Sequence, residues 1–499
     1  MTSESQLNGE SLLEAFNQTL AECSVDSESV ELLTGNADET LPSEINEADS
    51  EQIKEEALVN LGLSKSAAFG GGAIASDGIG LPVFDPIEPQ TLEEAGLQES
   101  DIEALTLKFL NAYGNNLGRQ IAKQIKLPFG IVQGVLNSLK NQMLVSYKSL
   151  AAANDYEYEL TEIGYEKAAR LTDLCSYCGA APVGFNQYVE SVKKQSLRRF
   201  KISPKEVERA FRDLLLPKEV VAQIGQAVNS GRCIFLYGES GNGKTSIATR
   251  CIESYDSGIW IPRTLTIGGE IIRFYDPTIH EALPTKEVDS LLRKSVVDDR
   301  WIRIKRPKIV VGGELTFAQL EITQNRLTGV LEAPLHMKSN NGCLVVDDFG
   351  RQRLTIMELL NRWIIPLENG MDYLRLPNGR AVASPFDQLL VFSTNLEPDQ
   401  LGDDAFFRRI PYKVELTGPT ESQFISLLSI EAEKAGFAEL PGCAEYLVST
   451  LKQNKRALKY CYVSDIIEQC YEFCEYHDQE KVLTKSIIDL AVHNYFAGL

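Results

Sequence analysis

The stretch GESGNGKT, Gly238–Thr245, has the spacing G-x-x-x-x-G-K-T of a phosphate-binding loop. The apolar run Ile234–Tyr237 precedes it and SIATRCIES follows, so the segment reads as buried strand, loop and helix. Gly238, Gly241 and Gly243 let the backbone take positive φ and turn its N–H groups toward an anion, with Glu239, Ser240 and Asn242 completing the loop. Lys244 is placed to reach the β and γ phosphates and Thr245 to offer its hydroxyl to Mg²⁺. Ser246 follows in a helix whose positive end faces the ligand.

A magnesium triphosphate also needs a carboxylate. GCLVVDDFG, 342–350, runs from apolar residues into Asp347 and Asp348, which predicts a buried strand directly beside the loop strand. Asp347 is then the metal residue, acting through water, and Asp348 the one that orients and deprotonates the attacking water. FDQLLVFSTNLEP, 386–398, is a third apolar run with a polar end, where Asn395 can bond the γ-phosphate or the lytic water. DDAFFRRIPYKVEL, 403–416, sets Arg408 and Arg409 after an apolar turn, from which an arginine can reach a neighbouring subunit's γ-phosphate.

Bulk properties narrow the class. The 499 residues predict several domains, and 43% hydrophobic content is ample for cores. The formal charge is −21, but residues 1–60 hold fifteen Asp/Glu against one basic residue, Lys54. Net charge therefore gives no pull toward nucleic acid. No run of about 18 apolar residues occurs, and the N-terminus lacks a basic region before an apolar core. Neither membrane insertion nor a secretory signal is expected. The ten scattered cysteines read as reduced thiols in a cytoplasmic protein. Cys175 and Cys178 form a single C-x-x-C without a second pair or a His at zinc spacing, and read as ordinary thiols near a loop. The four histidines also lack metal spacing.

Along the chain, residues 1–66 read as an acidic, mostly disordered tail and 67–88 as a Gly-rich linker. Between 89 and 174 the order helix, helix, helix, β-hairpin, helix resembles a winged helix-turn-helix, with helix starts at Thr91 and Ser100 and AAAND as the hairpin turn. Its third helix, 130–142, has Lys140 as its one cation, with Gln133, Asn137 and Asn141 beside it, which favours docking to protein over reading DNA. Residues 175–204 read as a connector carrying the basic amphipathic stretch 189–201. A β-rich insertion is expected at about 258–313, where RWIRIKRPK, 300–308, alternates five cations with apolar residues. That run fits one exposed strand face or a partner-contacting loop. Four helical patterns fill 418–499.

The succession GESGNGKT, LVVDD, FSTN and FRR within residues 205–499 resembles the AAA+ ATPases. The resemblance implies an α/β P-loop NTPase core, a parallel sheet between helices, over 205–417, and a helical lid over 418–499. It also implies ATP with Mg²⁺, a homo-oligomeric ring, and a basic lid residue near the phosphates, for which Arg456 and Lys459 both qualify. Most AAA+ proteins end the acid strand in Asp-Glu; the shorter Asp348 implies a closer or bridged water and slow turnover. AAPVGF, VVGGELT and DDFGRQR, with the winged helix, resemble a little-characterised bacterial AAA+ group described as chaperone-like ATPases associated with Flp pilus assembly. Remodelling of a protein client is then expected. An ATP-dependent DNA-binding protein and a slow nucleotide-switched scaffold are the alternatives.

Overall fold

Five short strands pair into one parallel sheet. They are β1 (Ile234–Tyr237), β2 (Lys308–Val311), β3 (Cys343–Val346), β4 (Leu389–Ser393) and β5 (Tyr412–Glu415), ordered β2-β3-β4-β1-β5. This computed structural model describes residues 84–150, 155–284, 297–401, 404–439 and 441–496. The acidic tail and linker residues 67–83 lie outside them.

The sheet is covered on both faces at its centre, which is why β1, β3 and β4 are continuous apolar runs, whereas the edge strands β2 and β5 alternate. On one face Ile234, Leu236, Val345 and Val391 pack with residues of the helices Lys218–Ser230 and Lys244–Arg250. On the other, Phe235, Leu344, Val346 and Phe392 share a core with the fully buried Trp363 of helix Ile356–Asn369.

The sequence places β3 directly beside β1; in the structure β4 lies between them. The acids still reach the loop because Val346 pairs with Phe392 and Phe392 with Phe235, so the three strand ends are level. Helix Lys244–Arg250 spans the gap, touching β4 and β3 as well as its own strand.

The β-rich insertion is shorter than the sequence implies, because β2 belongs to the central sheet. Its remaining strands are Ile259–Pro262, Thr264–Ile267, Glu270–Arg273 and Trp301–Ile304. The first and last pair antiparallel. The middle two are extended on one side by Leu331–Glu332 and Thr323–Gln324, and on the other by Val183–Gly184. Residues 175–204 are therefore not a plain connector. Val183 and Gly184 pair in parallel with Leu265 and Thr266, and helix Phe185–Gln195 buries Tyr188 and Val192 in the same core. Residues 84–88 are not linker either: the Phe84 ring lies 5.1 Å from that of Trp301.

The cations of 300–308 do not line one exposed face. Arg303, Lys305 and Lys308 are exposed, whereas Arg300 and Arg306 are buried. Arg300 is 1% exposed; its Nη2 donates to Asp298 Oδ2 at 2.8 Å and its Nη1 to the carbonyls of Ala95 and Pro182 at 2.8 and 3.1 Å. One side chain thus fastens the insertion to the helix Leu92–Ala95 and to the approach of the 183–184 strand. Arg306 donates to the carbonyls of Gln195 and Asn341 and lies over the rings of Phe200 and Tyr255. Burial pulls its pKa down to about 10, so it stays charged at neutral pH.

Ahead of the insertion come helices Glu99–Tyr113, Gly118–Ile125 and Phe129–Asn141, the antiparallel strands Val145–Leu150 and Tyr156–Leu160, and helix Glu162–Leu174. Thr91 caps its short helix as its position implies, but Gln98 rather than Ser100 caps Glu99–Tyr113. Residues 151–154 of the hairpin turn lie outside the described residues; Asp155 accepts the N–H groups of Gly118 and Arg119, at the start of the next helix in space. At the other end, helices Glu421–Lys434, Cys443–Gln453, Tyr460–Tyr476 and Lys485–Phe496 close around Phe424, Leu447, Val463 and Ile488. Among the described residues, no helix is long and apolar enough to cross a membrane.

Removing Arg300 strands the buried Asp298 carboxylate. Arg300→Met is expected to lower unfolding stability by about 3–5 kcal/mol, read by urea denaturation. Exposed Arg303→Met, on the neighbouring strand, is expected to change it by less than about 0.5 kcal/mol.

Candidate functional site

The loop leaves β1 and enters helix Lys244–Arg250. Gly238 has φ +129° and Gly241 φ +89°. A Cβ at Gly238 would meet the Leu416 carbonyl oxygen at 2.4 Å, and one at Gly241 would meet Cys461 Sγ at 2.5 Å. Neither position admits another residue without movement. Asn242 is buried and donates Nδ2 to the Leu416 carbonyl at 3.2 Å, so its side chain ties the loop to the chain leaving β5. Lys244 is buried, and its Nζ donates to the carbonyls of Gly238 and Glu239 at 2.9 and 2.8 Å. Burial lowers its pKa, and the carboxylates of Asp348 and Asp347 oppose that shift. Thr245 Oγ1 donates to Asp347 Oδ2 at 2.8 Å. Glu239, Ser240 and Ser246 are exposed around this pair.

Beneath the acids the strand ends are cross-linked. The Asp347 N–H donates to Val311 at the end of β2, and Phe349 N–H to Ser393 at the end of β4. Thr394 donates its N–H to Leu236 and its Oγ1 to the Phe349 carbonyl, at 3.0 and 2.7 Å. Asp348 lies at φ +47°, a region that Asp and Asn enter far more readily than most residues. That backbone gives a physical reason for Asp rather than Glu here. Gln352 holds the turn: its Nε2 donates to the carbonyls of Asp347 and Asp348 at 2.9 and 3.1 Å, and its Oε1 accepts the Gly350 N–H at 2.7 Å. Gln352 escapes sequence reasoning because its partners are backbone atoms of a turn closing on itself.

The other candidates scatter more. Asn395 follows β4 with an exposed side chain, while its neighbour Thr394 makes the bonds across the strand ends. Arg408 is exposed, and Arg409 pairs with Glu368 Oε2 of helix Ile356–Asn369 at 2.8 Å. Of the two C-terminal candidates, Lys459 comes to the loop, with its Nζ 3.2 Å from the Glu239 carboxylate. Arg456 lies 4.8 Å over the Phe496 ring instead.

A cavity of about 320 Å³ adjoins the loop, lined by residues including Leu214, Leu216, Gly241, Ile247, Tyr460 and Val463. The Cys461 N–H donates to the Gly241 carbonyl and Tyr460 Oη to that of Leu215, both at 3.0 Å, so the C-terminal helices close one wall. The slot beside the glycine loop has enough apolar lining to suit a flat heterocyclic base. Thr245 and Asp347 present a hydroxyl and a carboxylate oxygen, hard donors that suit Mg²⁺ when phosphate and water complete its shell. Among the described residues, no group of three or more His, Cys, Asp or Glu forms an all-protein metal cage.

A family model described as a domain of unknown function, DUF8689, matches residues 420–494, the four C-terminal helices. Comparison with curated proteins gives no match. Among solved structures, the Thermotoga maritima RuvB Holliday junction branch migration motor is 12% identical, covering 61% of this chain and 72% of that chain at a TM-score of 0.32. Two point mutants of the same RuvB stand alike at that score: one is 11% identical over 60% of this chain and 72% of that one, the other 13% over 61% and 73%.

The left-handed backbone at Asp348 separates two substitutions. Asp348→Glu is expected to cost about 1 kcal/mol of stability, and Asp348→Asn to be nearly neutral. Thermal unfolding of the two variants side by side checks this.

Proposed function

We propose that this chain is an AAA+ ATPase that hydrolyses ATP between its central sheet and its C-terminal helices and uses the energy to remodel a protein partner. The observation that carries the reading is the 2.8 Å contact between Thr245 Oγ1 and Asp347 Oδ2, made beside a buried lysine in a glycine loop. Lys244 offsets phosphate charge, Thr245 and Asp347 hold Mg²⁺, and Asp348 takes the proton of the attacking water. Asn395 orients that water or the γ-phosphate. Mg²⁺ supplies charge neutralisation at the phosphate oxygens. The cavity lined by Leu214, Ile247 and Val463 takes the base, and Lys459 is the basic residue of a lid spanning 418–499. Preference for ATP and the association with Flp pilus assembly rest on the sequence resemblance alone.

Residues 89–174 act as a winged-helix module that docks protein. On helix Phe129–Asn141 the exposed donors are Asn137, Lys140 and Asn141, and Lys140, its one cation, lies 3.9 Å over the Tyr147 ring. A groove-reading helix needs more free donors than that. In a ring, exposed Arg408 is the arginine available to a neighbouring site, because Arg409 is held by Glu368 of its own chain. A second reading, a slowly cycling nucleotide switch, is favoured by Asp348 itself, whose short side chain stands on a turn that Gln352 holds.

Lys244→Ala is expected to abolish binding of a fluorescent ATP analogue. Asp348→Asn is expected to keep binding and cut turnover by about 10²–10⁴-fold, measured as phosphate release. Equal background turnover in wild type and Asp348→Asn, with binding intact, selects the switch instead. Arg408→Ala is expected to lower turnover by about 10³-fold or more with unchanged binding, and Arg409→Ala to lower it far less. The reverse order moves the trans arginine to Arg409.

A further inference from the structure

Strand Met371–Arg375 has one open edge. It pairs antiparallel with Ala381–Pro385, and the two form a sheet of their own. The Phe386 N–H donates to the Gly370 carbonyl and the Leu376 N–H to that of Arg380, both at 2.9 Å. The register between those two bonds is unbroken, so Asp372 and Leu374 turn their backbone groups toward the partner strand. Pro385, which has no N–H to give, stands opposite Met371, where this phase asks for none. Met371, Tyr373 and Arg375 turn their N–H and C=O groups outward, and among the described residues no other strand pairs with them.

A groove of about 680 Å³ runs along that edge. Asp372 and Tyr373 point to opposite faces of the strand, as successive residues do, yet both line it. Phe317 and Ile322 line it as well, with Asn361 and Ile365 of helix Ile356–Asn369. Phe317, Ile365 and Tyr373 are 45%, 51% and 60% exposed. Large apolar side chains thus flank an open row of backbone donors and acceptors, where singly scattered ones would carry no meaning. The acids of the groove are held from within. Arg362 donates Nη2 to Asp372 Oδ2 at 2.8 Å and Nε to Glu321 Oε1 at 3.1 Å, and His336 Nε2 lies 2.7 Å from Asp372 Oδ2. Arg375 is exposed, and among the described residues no acid pairs with it. The uncompensated charge of the groove is therefore positive.

We propose that this groove takes an extended segment of a protein partner, apolar at alternate positions and acidic between them, which adds as a strand to the edge of Met371–Arg375. Its main chain bonds to the outward groups of Met371, Tyr373 and Arg375. Its apolar side chains reach Phe317, Ile365 and Tyr373, and a carboxylate meets Arg375. No residue of this groove lines the cavity beside the glycine loop, so the two are separate sites. The proposal gives a surface to the protein partner of the ATPase reading, and its test uses no nucleotide, so either can fail alone.

The test uses the full chain and fluorescence polarisation of labelled Val-Glu-Val-Glu-Val-Glu-Val. Saturable binding is expected, with Val-Lys-Val-Lys-Val-Lys-Val weaker by about tenfold or more. Arg375→Ala is expected to weaken the acidic peptide about threefold. Tyr373→Pro removes an outward N–H and leaves the bonds to Ala381–Pro385 in place; it is expected to weaken binding about tenfold, and Tyr373→Phe by less than about twofold. Successive N–H groups of a strand point to opposite edges, so N-methylating the glutamates in one peptide and the valines in another is expected to abolish binding in one case only. No saturable binding, equal binding of the acidic and basic peptides, or the same response to both methylated sets overturns strand addition here. Self-association of the chain that Tyr373→Pro abolishes overturns it too, by making a second copy the occupant.

Discussion

The level register of β3, β4 and β1 holds the site together. Val346, Phe392 and Phe235 share one row of the sheet, and the backbone bonds from Phe349 to Ser393 and from Thr394 to Leu236 continue it past the strand ends. A shift of one residue in any of the three would exchange the side chains packed into the two covering cores and carry the acids away from the loop. Burial of both faces makes that shift costly, because Phe235, Val346 and Phe392 are all fully enclosed. The position of the acids is thus fixed by core packing as much as by their own bonds.

Two buried cations near this framework follow the same logic. Lys244 is buried but spends its donors on two carbonyls of its own loop, and Arg300 is buried but forked onto Asp298. Each cation is compensated locally, so each can serve as a fixed point. The C-terminal helices meet the loop through the neutral bond from Cys461 and the chain before helix Lys218–Ser230 through that from Tyr460, with the Lys459–Glu239 ion pair at the loop's edge.

Much of the candidate site's geometry was legible because a glycine loop, its lysine and an acid-ended strand are rare residues at strict spacing. The glycines of 238–243, Lys244, Thr245 and Asp347 are read directly from the chain, and the structure brings them within hydrogen-bond reach. Strand order was not legible: a parallel sheet is ordered by its crossovers, and no local pattern says that 389–393 falls between 343–346 and 234–237. Lys308–Val311 hid in a region of alternating runs because an edge strand of the central sheet also shows one polar side. Arg300 and Arg306 looked exposed because alternation with apolar residues cannot separate a solvated cation from one whose partners lie far along the chain. For the same reason Lys459 and Arg456 were equal candidates until a fold placed one against the loop and the other on a ring.

Strand Val183–Gly184 completes the edge of a sheet whose other members come from 264–273 and 323–332. Those two residues come from far upstream and cap the sheet where the Thr264–Ile267 strand would otherwise be its edge. A gene fragment beginning at 205 would leave the Thr264–Ile267 strand with a bare edge, and would uncover the apolar seat of Tyr188 and Val192. A cut at 205 therefore falls inside one shared core and not between two separate ones.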